Sequence, residues 1–423
     1  MGFIGAMEGV AIVIAPLLSG AITQHVNWRW CFYLTLPIGG GTILAIAIFF
    51  KPPRTHEASS LTFMGKVKEM DLFGMFMLIP SIVCLLLALQ WGGTRFAWNS
   101  SRIIALLVIF ALSFIAFVAI QIWKKDGASL PPRVIKQRGV ALGLVYSLCT
   151  ASALAVMDFY VSSVRLAKFV NVLILSFTQL PIWFQVIKGF SPTQSGVGVL
   201  PIIIGLILGS ILTGSAVAAI GYYTPAMIGG SVLMSIGSGL ITTFTPNTGY
   251  SKWIGYQAVI GLGGGMSFQQ PMLAVQTILQ EKDVPIGTTA VVWANNLGAT
   301  IFVSIAQNVF SNQLKAGLVK SVPNVDPSIV LSTGATSLKN SIDPTYLRVV
   351  ITQYNGALIH VFYIALGLTC FGMLLALGME WKSVKGDGGK NKGSEAEEVK
   401  QNQEVGQVDQ EKTSLAELPV ATV

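Results

Sequence analysis

Ten apolar runs decide what this chain can become. They lie at about 3–22, 31–50, 71–91, 102–123, 138–160, 196–217, 224–244, 253–278, 287–310 and 353–378. About 20 residues of helix cross the ~30 Å of hydrocarbon in a bilayer. Lipid offers no hydrogen-bond partners, so a segment of that kind must satisfy its own backbone, and a helix does so. The expected fold class is therefore an all-α polytopic membrane protein. Composition agrees: 52% of the 423 residues are apolar and only 11% are charged. The first run is read as a span and not a secretory leader, since it is too long and lacks a basic start and a cleavage site.

The net charge of +8 is carried by lysine and arginine in the loops. It therefore speaks for membrane topology and against nucleic acid as a partner. The segments 51–70 (Lys51, Arg54, Lys66, Lys68) and 124–138 (Lys124, Lys125, Arg133, Lys136, Arg138) hold nine such residues. The alternate loops hold three: Arg29, Arg95 and Arg102. The rich loops are expected in the cytosol, with both termini. The loop 311–352 and the sequon Asn99-Ser100-Ser101, a glycosylation candidate, then fall outside. Cys31, Cys84, Cys149 and Cys370 lie within apolar runs without metal-ligand spacing and read as packed thiols. The segment 379–423 is polar and aperiodic and is expected to be a disordered cytosolic tail.

No phosphate-binding glycine loop ending in Gly-Lys-Ser/Thr is present, and His25, His56 and His360 are scattered. An ATP-driven pump, a metal centre and an enzyme are not expected. A carrier driven by an ion gradient needs no cofactor, but it does need titratable or polar groups inside the bilayer. Glu8 and Asp158 are the carboxylates within apolar runs, while Asp71 and Glu380 read as interfacial. Gln269 and Gln270 precede Pro271 in a span that also carries Gly261, Gly263, Gly264 and Gly265. A glycine-rich helix broken at proline suits the lining of a substrate path. Asn295 and Asn296 are further cavity candidates, and Trp183, Phe184, Phe268 and Trp293 could contact a flat organic molecule. Gly205-x-x-x-Gly209 reads as helix packing.

Small residues and a proline recur in the first run at Gly2, Ala11, Ala15, Pro16, Ser19 and Gly20. This series resembles the antiporter motif of the major facilitator superfamily, with three glycines replaced by alanine or serine. Trp28-Arg29-Trp30, Leu36-Pro37-Ile38-Gly39-Gly40, Leu180-Pro181-Ile182-Trp183-Phe184-Gln185, Gln269-Gln270-Pro271 and Asp283-Val284-Pro285-Ile286-Gly287 look like fungal members of its fourteen-spanner drug:proton antiporter family. In that family the motif lies in the fifth helix. The resemblance thus implies an N-terminally truncated form: a remnant of the N-terminal bundle (1–50), a basic loop with two linking spans (51–137), and a six-helix C-terminal bundle (138–378). Residues 161–179 interrupt the family pattern and are expected to be an insert of retained-intron type, the fifth span ending near Val186.

What the resemblance implies is export of a hydrophobic small molecule, a drug, toxin or secondary metabolite, driven by protons. The membrane would be the plasma membrane, or alternatively the vacuolar one. Competing readings are a siderophore-type carrier of the same superfamily and a non-transporting remnant.

Overall fold

A computed structural model describes residues 22, 29–50, 71–93, 95–159, 183–190, 194, 197–323, 327, 330 and 342–384. Residues 1–21 of the first run, the loop 51–70, the insert 161–179 and the tail beyond 384 lie outside the described residues. Among the described residues the regular structure is helical, with no strand. The principal helices are α1 (Thr35–Phe49), α2 (Leu72–Trp91), α3 (Ser101–Lys124), α4 (Arg138–Phe159) and α5 (Leu200–Ile220). They continue with α6 (Thr224–Ile241), α7 (Tyr250–Phe268), α8 (Gln270–Ile278), α9 (Val284–Ser321) and α10 (Pro344–Leu377). A π-helical turn, Trp183–Lys188, precedes α5. Seven of the helices are long and apolar enough to cross a membrane.

α4 is the central post of the bundle. It packs against α9, α10 and α8, and two-thirds of its span is buried. α7 is wedged between α5 and α6. Glycine makes that wedge possible. A Cβ at Gly261 would fall on the Ile202 carbonyl, and one at Gly265 on the Leu206 carbonyl, both in α5. Gly205 and Gly209 answer from α5 against α7 backbone, and Gly230 and Gly237 do so from α6. Backbones approach this closely only where side chains are absent. Gly205-x-x-x-Gly209 is thus a packing element, as its spacing suggests.

One sequence expectation needs correction. The region 311–352 is not simply a loop, because α9 runs on to Ser321 and α10 begins at Pro344. At 38 and 34 residues, these helices reach about 57 and 51 Å at 1.5 Å per residue, well beyond the bilayer core. Leu314, Leu318 and Val350 are fully buried, which explains the extension: the paired ends bury their own apolar seam. The run 253–278, expected to be broken at its proline, is indeed two helices meeting at Gln269. Pro271 has no N–H for the Ser267 carbonyl, and the Gln269 amide donates there instead.

An aromatic cluster closes the end of the bundle where the π-helical turn lies. Trp183 lies tilted at 35° against Phe244, and Phe184 lies parallel to Phe190 and edge-on to Trp253. Trp183 Nε1 donates to Asn355 Oδ1 at 3.0 Å, and Asn355 Nδ2 donates to the Phe244 carbonyl at 3.0 Å. Trp183 and Phe184 are buried, so they are core residues and not open contacts for a substrate. Behind them lies a small apolar cavity bounded by Met157, Ile202, Ile241 and Phe362. Trp183→Phe keeps the ring packing but orphans Asn355 Oδ1. It should lower stability by about 1–3 kcal/mol, read as a drop in thermal midpoint of the purified protein.

Candidate substrate-facing site

In a span surrounded by lipid, a polar face is costly unless it meets water or another helix. α9 has such a face. Over residues 284–300 its exposed positions are Pro285, Thr289, Val292, Asn296 and Thr300, at spacings of three and four residues. That is one side of a 3.6-residue helix. Its three polar side chains turn back to their own helix: Thr289 Oγ1 donates to the Pro285 carbonyl at 2.8 Å, Asn296 Nδ2 to Val292 at 2.8 Å, and Thr300 Oγ1 to Asn296 at 2.7 Å. Each hydroxyl and amide oxygen keeps acceptor capacity beyond that bond.

The neighbouring asparagine looks elsewhere. Asn295 is half-buried and its Oδ1 accepts from the Ser147 hydroxyl of α4. Gly298 lets the two helices close, since a Cβ there would strike Leu148 and Ser152. The expected asparagine pair therefore splits into Asn295, which binds α4, and Asn296 on the exposed face.

The expected glutamine pair splits too. Gln269 is half-buried at the junction of α7 and α8. Gln270 is 5% exposed at the start of α8, and its Oε1 has no hydrogen-bond partner among the described residues. An unpaired buried amide oxygen costs about 1–3 kcal/mol. A donor arriving from a ligand or water would recover that energy. Tyr146 Oη lies 2.9 Å from Ser231 Oγ, joining α4 to α6.

The remaining candidates are less informative. Glu8 and the motif residues Gly2, Ala11, Ala15, Pro16, Ser19 and Gly20 lie outside the described residues. Asp158 is in the last turn of α4, and its side chain is outside them as well. Phe268 and Trp293 are half-buried. His360 is exposed on α10 with Nδ1 2.9 Å from the Gly356 carbonyl. Asn99 is exposed in the turn before α3, one residue ahead of the N-cap Ser100. Cys84, Cys149 and Cys370 are free thiols. Among the described residues no His, Cys, Asp and Glu gather into a metal-binding group.

Two polar sites escaped the sequence reading. Asp71 stands at the end of its span, as expected, but it is buried at 5% exposure among partners that the sequence did not indicate. As N-cap of α2 it accepts from the Gly74 amide at 3.0 Å, Gln121 Nε2 at 2.5 Å, Lys124 Nζ at 2.8 Å, and the Ser129 amide and hydroxyl at 3.4 and 3.3 Å. Burial pushes its pKa up, but the Lys124 ammonium and these hydrogen bonds outweigh that and hold it down at about 2. Asp283, also buried, pairs with Arg133 at 2.8 Å. Apart from the Gly74 amide, their partners lie 50 to 150 residues away in the chain, so no local pattern signals the pairing.

Comparison with known proteins fits this architecture. The family model described as the Major Facilitator Superfamily matches residues 1–185. The chain is 45% identical over 385 residues to an MFS-type efflux pump, MFS1, of Arthroderma benhamiae, a match covering 91% of this chain and 68% of that protein. It is 39% identical over 386 residues to the rubrofusarin-specific efflux pump aurT of Gibberella zeae, covering 91% and 67% respectively. It is 40% identical over 386 residues to the efflux pump aflT of Aspergillus parasiticus, covering 91% and 71%. With identity at this level along nine-tenths of its length, and a multi-pass helical fold, the chain belongs to the major facilitator superfamily.

Proposed function

We propose that this protein exports hydrophobic small molecules, of the toxin or secondary-metabolite kind, across a fungal membrane. The observation that carries the reading is the exposed polar stripe Thr289–Asn296–Thr300 on a membrane-spanning helix. It has the character of a wall lining a path through the membrane. The unpaired Gln270 Oε1 supplies a second polar point. The similar proteins named as efflux pumps support the direction of transport.

In this reading the unit of six spans from α4 to α10, α7 and α8 forming one broken span, is one half of a rocking pair, and α1 with the segment before it belongs to the other. Substrate and proton favour opposite-facing states of that pair. Glu8 and Asp158 are the carboxylates proposed to carry the proton. The lysine- and arginine-rich loops and both termini face the cytosol, Asn99 faces outward, and the plasma membrane is the proposed residence.

Inside-out vesicles carrying this chain should accumulate a hydrophobic fluorescent compound when their lumen is acid, and lose that accumulation with a protonophore. Gln270→Leu should weaken uptake of compounds with hydrogen-bond donors about tenfold, the equivalent of about 1.4 kcal/mol for one bond to a buried acceptor. Accumulation that ignores the gradient would remove proton coupling from the proposal. No accumulation above empty vesicles would remove transport by this chain.

A further inference from the structure

The linking helices α2 and α3 form a hairpin, and what holds that hairpin is informative. α2 packs along α9, while α3 packs mainly on α2. Both are largely exposed, with 17% and 11% of their spans buried. Greasy contact of that extent would fix neither position nor tilt, since lipid competes equally for the same surface. Directional contacts at the two ends do fix them.

At the end where α2 stops, Asn308 of α9 donates through Nδ2 to the carbonyls of Leu89, at 3.2 Å, and of Gly92. These are orphan carbonyls of the helix terminus, which need a donor. Asn312 Nδ2, one turn on, donates to Asn308 Oδ1 at 2.7 Å and orients the amide. Gly93, at φ +71°, leaves room for the pair: a Cβ there would lie within 3.4 Å of Asn308 Oδ1 and closer to Asn312 Nδ2.

At the opposite end the strap is continuous. Asp71 at the start of α2 binds Gln121 and Lys124 of α3 together with Ser129 beyond it. Gln121 Oε1 accepts from the Leu130 amide at 3.0 Å. Four residues on, Val134 is 1% exposed among Val140, Val275 and Val291 of the bundle. Arg133 beside it pairs with the buried Asp283 at the entrance to α9.

We infer that the α2–α3 hairpin is a fixed limb of the C-terminal helix bundle, strapped to it at both membrane surfaces, and that it travels with that bundle when the halves of the protein move. The moving seam then lies between the hairpin and the N-terminal side of the chain. Asn308 and Asp71 are positioning residues in this device, touching no substrate. The motion itself rests on the transport reading above; the strapping does not.

Paired spin labels on the full chain in nanodiscs test it. The exposed sites Phe76 on α2 and Val319 on α9 serve as one pair, and Ile43 on α1 with Val319 as another. The α2–α9 pair should give one narrow distance distribution, unchanged between acid and alkaline pH and with an apolar ligand added. Asn308→Ala should broaden it, and Asp71→Ala added to that should shift it to longer distances. A wild-type α2–α9 distance that splits or moves with pH or ligand overturns the inference, and so does an Asn308→Ala distribution identical to wild type. Should the double variant not fold, those two measurements still decide the matter. The α1–α9 pair reports separately: a distance there that never moves counts against rocking transport while leaving the strapping to stand or fall on the other pair.

Discussion

Asp71→Ala should lower the unfolding free energy by about 3 kcal/mol, and Lys124→Met by about 1. The asymmetry follows from burial. The Asp71 side chain is 1% exposed and the Lys124 side chain 24%. Removing Asp71 strands Gln121 Nε2 and the Gly74 and Ser129 amides together. Breaking a buried pair from one side costs about 3–5 kcal/mol, and the lower end applies because Lys124 can reach water along its own stem. Removing Lys124 leaves the carboxylate its other donors, so the loss approaches that of an exposed pair, up to about 1 kcal/mol.

The pH dependence of this site has a definite sign. The Asp71 carboxyl is held at about 2, against 3.8 for an ordinary aspartate. A depressed pKa contributes stability above the unfolded value, and that contribution is lost as pH falls from about 4 toward 2. Thermal unfolding followed by intrinsic fluorescence at pH 5 and at pH 3 should show a larger drop in wild type than in Asp71→Asn. Equal drops would mean that the carboxylate is already free in solution.

Gly265→Ala should be among the most damaging single-methyl additions in the protein. Its Cβ would fall on the Leu206 carbonyl of α5, and Gly261 stands in the same relation to Ile202. Backbone cannot rotate aside as a side chain can, so the α5–α7 seam must open along its length. Overpacking costs about 1–3 kcal/mol where side chains absorb it, and about 3 kcal/mol or more is expected here. Gly255→Ala, on the same helix with nothing within 4 Å, provides the contrast. There the added methyl only restricts the backbone and should stabilise the helix by about 0.5–1 kcal/mol. Thermal midpoints of the two variants should therefore move in opposite directions.

Both glycines lie in one apolar run, and only the packed helices show which of them meets the backbone of a neighbour. Hydropathy located the membrane helices to within a few residues: 71–91 became Leu72–Trp91, and 138–160 became Arg138–Phe159. Lipid forces any such run into a helix, so a one-dimensional signal suffices. The break at Pro271 was legible for the same local reason. The extensions of α9 and α10 were not, because beyond residue 310 the pattern turns polar on one side while the helices continue by packing on each other. Of the paired candidates, only a helical face could tell Asn296 from Asn295 and Gln270 from Gln269. Asp71 was read as an interfacial carboxylate and Asp283 only as part of a family-like stretch, neither with a partner. Their partners come from α3 and from the turn before α4, and only the folded chain brings them together.

The exposed polar face of α9 is the centre of this account, and cysteine accessibility tests it most directly. In a background without native cysteines, Thr289→Cys, Asn296→Cys and Thr300→Cys should react with a membrane-impermeant thiol reagent. A transported compound should protect them. Ile211→Cys and Leu212→Cys, exposed on the apolar α5, should not react. Reaction confined to the α9 stripe and slowed by substrate is the predicted result. An α9 stripe as inert as the α5 pair would place that face in lipid and contradict the assignment.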